Sequence, residues 1–513
     1  MKNFKYILMV LFILDIATSC SNYEELNTNP DTASTVSPEM LAAGVLKGTY
    51  RFWNPNPNDF TTANLGDHYV VDQDIQGAQY YNPYAYGSFG SFLYLTDLKR
   101  MVEYSEGSIN ESSYKGLALF MKAYYGYYAT INMGDIPYSE AGLAEEGNVT
   151  PIYDKQSDVF VQVLEDLRAA EEYFAAGTTF SGDMMYTGNA TKWRKLCNGM
   201  QLKVIQTMSK KATAAQKARF AEIVAANNLL VDNTDNFKLT YTDYSGTNHP
   251  FYSATETKRL KVILSKLVVD ILKNNNDRRL FYFAEPASAL IASGKLESDF
   301  EAYEGALSSL ENGIITSNNL AGNYSTINKR YGAIQAGDPM IRFTYGEQCF
   351  IIAEAIEEGW VSGGTSLAKT YYQNGVKAML GVFMSLPAAS AANYAHGMPI
   401  NQTYIDNYFT GNAAYAETGT KEDRLHQIWN QRYLIDFFQG NSGYYHQFLR
   451  VGYPVLPLDP ATSQNPDDNT LYPHRLKYPT SEITTNPENY QLAIDSQYGG
   501  YDGINKIPWY LQD

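Results

Sequence analysis

The chain has 513 residues, 44% of them apolar, with 39 basic against 55 acidic side chains and a formal charge of −16. That composition can bury a large core, while the acidic balance, with no cluster of Lys and Arg to offset it, argues against nucleic acid as a partner. Three cysteines are too few for a disulfide scaffold. The composition is unusual in its 43 tyrosines, set in a chain with only 18% charged residues. Tyr joins a flat apolar face to a hydroxyl, which suits sugars and protein surfaces alike.

At the N-terminus, Lys2 and Lys5 flank the start of an unbroken apolar run over 6–14, followed by Ala17-Thr18-Ser19-Cys20. A basic head, a short apolar middle and a small-residue cleavage site make residues 1–19 a secretory signal peptide. The run is too short to span a bilayer, which takes about 20 apolar residues. Cys20 directly after small residues predicts lipidation, with the lipid holding the chain to a membrane. Ala17, where Leu is usual, and Asp15 depart from a strong lipoprotein signal, and plain secretion is the alternative. Without residues 1–19, which hold two Lys and one Asp, the formal charge becomes −17. Residues 20–38 then read as the lipidated Cys and a polar tether.

A first helix is expected near 38–46. Residues 53–92 differ in kind: Trp53-Asn54-Pro55-Asn56-Pro57-Asn58 is all turn chemistry, and Tyr80, Tyr81, Tyr84, Tyr86, Phe89 and Phe92 crowd among Gly, Asn and Pro. Several of these rings must therefore sit on irregular loops. Leu117, Phe120, Met121, Tyr124, Tyr128 and Ile131 then form a helical stripe, read as core-facing. A second stripe runs from Phe160 to Phe174, with Asp154 as its expected N-cap. Residues 190–211 and 215–226 read as a helix pair. Leu260, Ile263, Leu264, Leu267 and Ile271 predict one long helix ending near Asn274. Another pair is expected over 341–358 and 366–384, split at Ser362-Gly363-Gly364.

Helix pairs of similar length suggest tetratricopeptide-like units. The fold class is therefore mostly α, a helix-pair scaffold with long irregular loops (229–256, 285–340, 440–513) and a few short strands, with 235–244 read as a short strand or hairpin. The loops keep their aromatics and read as ordered. Cys197 and Cys349 fall in helical segments and are expected to be free, buried thiols.

Signatures of catalysis are missing: no H-E-x-x-H, no phosphate loop, no G-x-S-x-G and no dinucleotide fingerprint. The six histidines are scattered, and no metal or cofactor is expected. Asp72 with Asp74, or Asp467 with Asp468, could be a hydrolytic carboxylate pair, but solvated surface acids are the plainer reading.

Ten stretches, in order, resemble the SusD/RagB family of outer-membrane nutrient-binding lipoproteins, in particular its second large branch. They are LNTNPDTAS (26–34), FMKAYYGYYATINMGDIPYSEA (120–141), YDKQSDVFVQVLEDLRAA (153–170), GDMMYTGNATKWRKLCNGMQLKV (182–204), NNDRRL (275–280), FTYGEQCFIIAEAIEEGWVSG (343–363), IWNQRYLIDFFQ (428–439), RVGYPVL (450–456), PHRLKYPTSE (473–482) and NPENY (486–490). Tyr444-Tyr445-His446 stands where the family often has Glu-Ala-Trp. The resemblance implies a single helical domain over 39–513 and a place on the cell surface. It also implies a SusC-like TonB-dependent transporter as partner, with this chain as its lid, and no catalytic activity or cofactor.

With a glycan or peptide as ligand, the expected contacts are loop residues: Trp53, Asn54, Gln79, Tyr80, Tyr81, Asn82, Tyr84 and Tyr86. A second expected cluster is Asn323, Tyr324, Arg330 and Tyr331. The same rings could instead pack the loops onto the body. Two rival functions follow from the same composition. A helical glycoside hydrolase or lyase needs a cleft with two facing carboxyls, and an adhesion protein needs a broad flat aromatic patch without a pocket.

Overall fold

A computed structural model describes residues 36–49, 57–82, 86–386, 393–439 and 443–513. The expected signal peptide, Cys20 and the expected tether up to Thr35, together with Trp53, Asn54 and Tyr84, lie outside the described residues.

The longer helices are α1 (Pro38–Gly48), α2 (Pro57–Gly66), α3 (Tyr94–Ser105), α4 (Glu111–Met133), α5 (Gln156–Ala176), α6 (Ala190–Thr207) and α7 (Ala214–Ala226). They continue with α8 (Lys266–Asn274), α9 (Asn312–Leu320), α10 (Tyr345–Glu357), α11 (Gly364–Met384), α12 (Lys421–Ile435), α13 (Gly443–Val451) and α14 (Pro487–Tyr498). Sequence neighbours pack side by side: α4 on α5, α5 on α6, and α10 on α11, with α12 laid against α10. None of the described helices is long and apolar enough to cross a membrane.

The core forms where the stripes meet. Trp193 of α6 is fully buried. It lies 5.2 Å from Phe120 of α4, 5.8 Å from Phe174 of α5 and 5.3 Å from Tyr186, centroid to centroid. Its indole N–H donates to Asp183 Oδ2 at 2.8 Å. Such aromatic pairs add about 0.5–1.5 kcal/mol each beyond area burial, so this cluster ties three helices together. Close packing at the α4–α5 side needs Gly126, because a Cβ there would stand 2.1 Å from the Tyr138 ring.

Two short antiparallel ribbons complete the body. β1 (Val70–Asp72) pairs with β3 (Val262–Leu264), Val70 opposite Leu264, and β2 (Phe237–Leu239) pairs with β4 (Met340–Phe343). The expected long helix through 260–274 is thus two elements. Val262 and Ile263 are β-branched and find a partner strand, and Ser265, whose hydroxyl accepts from the Val268 N–H at 3.3 Å, starts α8 afresh. The strand expected in 235–244 exists, and its partner lies about a hundred residues away.

Asp154 does not cap α5. Lys155 holds that position, and the Asp154 carboxylate accepts from Ser139 N–H at 2.7 Å and its hydroxyl at 2.8 Å. Cys197 and Cys349 are free and buried. Asp72, read as a solvated acid, is fully buried and paired with Lys258. Asp467 accepts hydrogen bonds from the Tyr501 hydroxyl and the Ile504 N–H, and Asp468 accepts from Thr470.

Candidate functional site

A cavity of about 450 Å³ opens between α1, α4, α6, β4, α12 and α13. One face of α4 forms its wall. Tyr124, Tyr125, Tyr128 and Asn132 sit at steps of one, three and four residues, so one side of the helix presents three rings and an amide. Tyr124 and Tyr128 lie 4.8 Å apart, centroid to centroid. The Tyr125 hydroxyl donates to Val45 O of α1 at 3.3 Å. Burial pushes all three phenols above their usual range, so they remain neutral donors at any physiological pH.

Charged groups line the depth of the cavity. Lys203 of α6 pairs with Glu347 at 2.9 Å, and its ammonium stands 3.5 Å from the Tyr128 hydroxyl. Burial works against that ammonium, but Glu347 and Tyr128 overcome it and hold its pKa well above the usual value. Arg342 of β4 donates to Thr49 O at 3.3 Å, fixing the end of α1 at the rim. Asp436 follows the last residue of α12. Burial, with Glu347 adding repulsion, raises its carboxyl to about 6. His446 of α13 is held between Tyr510 at 3.1 Å and Asn132 Oδ1 at 2.9 Å, and burial lowers its pKa to about 4. Tyr86, Gly87 and Ser88 form the outer edge, anchored where Gly87 N–H donates to Lys477 O at 2.7 Å.

The arrangement offers ring surfaces, neutral hydroxyls and amides, one carboxylate and two cations, a set that can hold a polyhydroxylated ligand by stacking and hydrogen bonds. Among the described lining residues Asp436 is the sole carboxylate, so no pair of acids faces across the cavity as glycoside hydrolysis requires. No group of three or more His, Cys, Asp or Glu that could hold a metal is present among the described residues.

Of the loop residues expected to touch ligand, Tyr86 lines this cavity and is 54% exposed. The others described are placed elsewhere. Gln79, Tyr80 and Tyr81 are buried: the Tyr80 hydroxyl donates to Leu310 O at 2.5 Å and that of Tyr81 to Pro457 O at 2.7 Å. Asn82 donates to Gln464 at 2.8 Å. Arg330 is buried in an ion pair with Asp338, and Tyr331 packs 4.7 Å from Phe438 and accepts from Arg330. Tyr324 lies against the small cluster of Val71, Ile263, Ala306 and Ile315, and Asn323 bonds Asn318. These rings and amides pin the loops to the body, because a buried hydroxyl needs an acceptor and the loop carbonyls supply it.

Conversely, Tyr124 and Tyr128 belong to the stripe assigned to the core, and Tyr125 lay outside that stripe. A signal was present in AYYGYY (123–128), which sets four hydroxyl-bearing rings on one helix where Leu would pack more simply.

The chain matches the SusD-like family model, described as "starch-binding associating with outer membrane", over residues 30–479. It is similar to a solved SusD homologue of Bacteroides fragilis NCTC 9343, with 33% identity over 93% of this chain and 100% of that one and a TM-score of 0.86. A second SusD homologue of the same organism shares 29% identity over 93% and 100% of the two chains, with a TM-score of 0.80. A chitin-binding protein shares the fold at 23% identity, 92% and 100% coverage and a TM-score of 0.71. No match was found among the curated proteins. With the family matched over most of its length and the helix-pair scaffold shared from end to end, the chain belongs to the SusD-like family.

Proposed function

We propose that this protein binds a glycan in the tyrosine-walled cavity at the cell surface, held there by a lipid on Cys20, and passes it intact to a SusC-like TonB-dependent transporter. The observation that carries this reading is the wall of α4, where half-buried Tyr128 and the exposed edges of the largely buried Tyr124 and Tyr125 line the cavity, with Tyr86 at its rim. Ring faces take the C–H faces of a sugar, while Asn132, Asp436 and Lys203 are placed to meet its hydroxyls. A binder that hands its ligand on has no use for a facing pair of acids, and among the described residues the lining holds one acid.

Calorimetric titration of the purified protein with neutral oligosaccharides, with analysis of the sugar afterwards, tests the reading. Saturable binding with intact sugar is expected, and Tyr128→Ala should weaken it at least tenfold, about 1.4 kcal/mol. Shortened sugar in the product analysis, or affinity unchanged in Tyr128→Ala and Tyr86→Ala, would overturn it.

A further inference from the structure

We infer that a second cleft, where the end of α6, α7, α10, α12 and α13 meet, binds a sugar unit that carries a carboxylate. The cleft has a volume of about 290 Å³ and shares no described lining residue with the tyrosine cavity. Lys203 lines the cavity from within α6, whereas Ser209 and Lys210, just past the end of that helix, line the cleft.

Two tryptophans face it, Trp360 and Trp429, both half-buried, while Trp193 is sealed in the core. Trp360 meets Phe220 edge-on at 5.6 Å, and Trp429 packs at a tilt against His426 at 5.8 Å and Tyr453 at 6.2 Å. Among the described residues the two indoles make no ring contact with each other. Both line the cleft, and an indole face can take the C–H face of a pyranose.

Charge supplies the second half of the argument. In a chain of formal charge −16, three cations gather here: Lys210, Lys217 and Arg450. Glu354 is matched by Arg450 at 2.6 Å and Arg432 at 3.1 Å, Glu358 by Lys421 at 2.7 Å, and Lys210 by Asp513 at 2.9 Å. Lys217 is left over. Its ammonium sits 5.1 Å from the Trp360 ring centroid and makes no ion pair among the described residues. A cation held over the ring of one cleft-lining indole is placed to meet the carboxylate of a hexuronate bound in the cleft. The Ser209 hydroxyl can serve the ring's hydroxyls.

The test titrates the purified full chain with trigalacturonate and with galactotriose, followed by calorimetry and tryptophan fluorescence. The uronide should bind at least tenfold more tightly than the neutral sugar. Lys217→Met should abolish that preference with an unchanged melting temperature, Trp360→Phe should weaken it, and Tyr128→Ala should leave it intact. The inference is overturned if the two trisaccharides bind alike or not at all. It is equally overturned if the preference survives Lys217→Met, or if it is lost in Tyr128→Ala. Benzoate serves as the control, and binding with the same dependence on Lys217 would mark the cleft as an aromatic-acid site and overturn the sugar assignment. The Tyr128 arm separates this outcome from failure of the cavity reading, since neutral-sugar binding there depends on a different residue.

Discussion

Asp436 is the residue through which pH should reach the cavity. Its pKa of about 6 leaves it ionised at pH 7, facing Glu347, Lys203, Arg432 and Arg342, and only the ionised form accepts a ligand hydroxyl without donating one. Sugar affinity should therefore fall between pH 7 and pH 5, and Asp436→Asn should flatten that profile in calorimetry. His446, held at about 4, stays neutral across the window. The sign for stability is opposite. A carboxyl whose folded pKa is raised above its unfolded value of about 3.9 binds its proton more tightly when folded, so stability falls as pH rises from about 4 to about 6 and stays lower above that. Asp436→Asn should accordingly melt higher than the parent at pH 7, with the gap narrowing by pH 5. Glu354 is the opposite case, a buried acid whose two arginines overcome the burial penalty and hold its pKa below the usual value. Glu354→Gln leaves Arg450 buried without its counter-charge and Arg432 with only the more distant Glu347, and chemical denaturation should register a loss of about 3–5 kcal/mol.

Single elements here serve two surfaces at once. β4 turns Arg342 to the tyrosine cavity, and Phe343 packs beneath Lys203, whose ammonium lies 5.9 Å from its ring. α4 is buried by its stripe against α5 and α6 yet gives three tyrosines to the cavity. Its position depends on Gly126: the Tyr138 ring lies across the gap, with its hydroxyl donating to Asp166 at 2.7 Å, and has nowhere to retreat. Gly126→Ala should destabilise the protein by about 1–3 kcal/mol despite the better helix propensity of Ala, and a denaturant midpoint will read the change. The reading of α4 as a core helix was correct for Phe120, Met121 and Leu117, all fully buried, and for Tyr124, buried with one edge in the cavity lining, and incomplete for half-buried Tyr128. Helical spacing says which residues share a face, but whether that face meets protein or open volume depends on β4, α12 and α13, more than two hundred residues away.

At the scale of the molecule, ion pairs run from one cavity to the other: Lys203 to Glu347, Glu347 to Arg432 at 3.9 Å, Arg432 to Glu354, and Glu354 to Arg450. This chain crosses the α6–α10–α12–α13 junction and gives the scaffold a charged spine alongside its aromatic core. The two buried thiols lie in the same scaffold. Burial pushes Cys349 up to about 12 and Cys197 upward as well, so neither supplies thiolate at neutral pH. A thiol reagent should label neither in the native protein and both after unfolding, and reductant should leave the melting temperature unchanged.

The sequence by itself determined the helical scaffold, the family and the abundance of tyrosine, because hydrophobic periodicity and ordered motifs are local properties of the chain. It did not reveal which loop rings are buried. Tyr80 and Tyr81, in a loop rich in Gly and Asn, had every local mark of an exposed platform, yet they are buried against carbonyls contributed by residues 310 and 457. Ile263 and Leu264 carried a helical spacing and became a strand because Val71 and Val70 lay ready to pair with them. Which rings stay open to solvent, and which acids and bases meet, were decided only by tertiary structure. A tyrosine is equally content at a surface or inside once its hydroxyl has a partner, and that partner comes from distant chain.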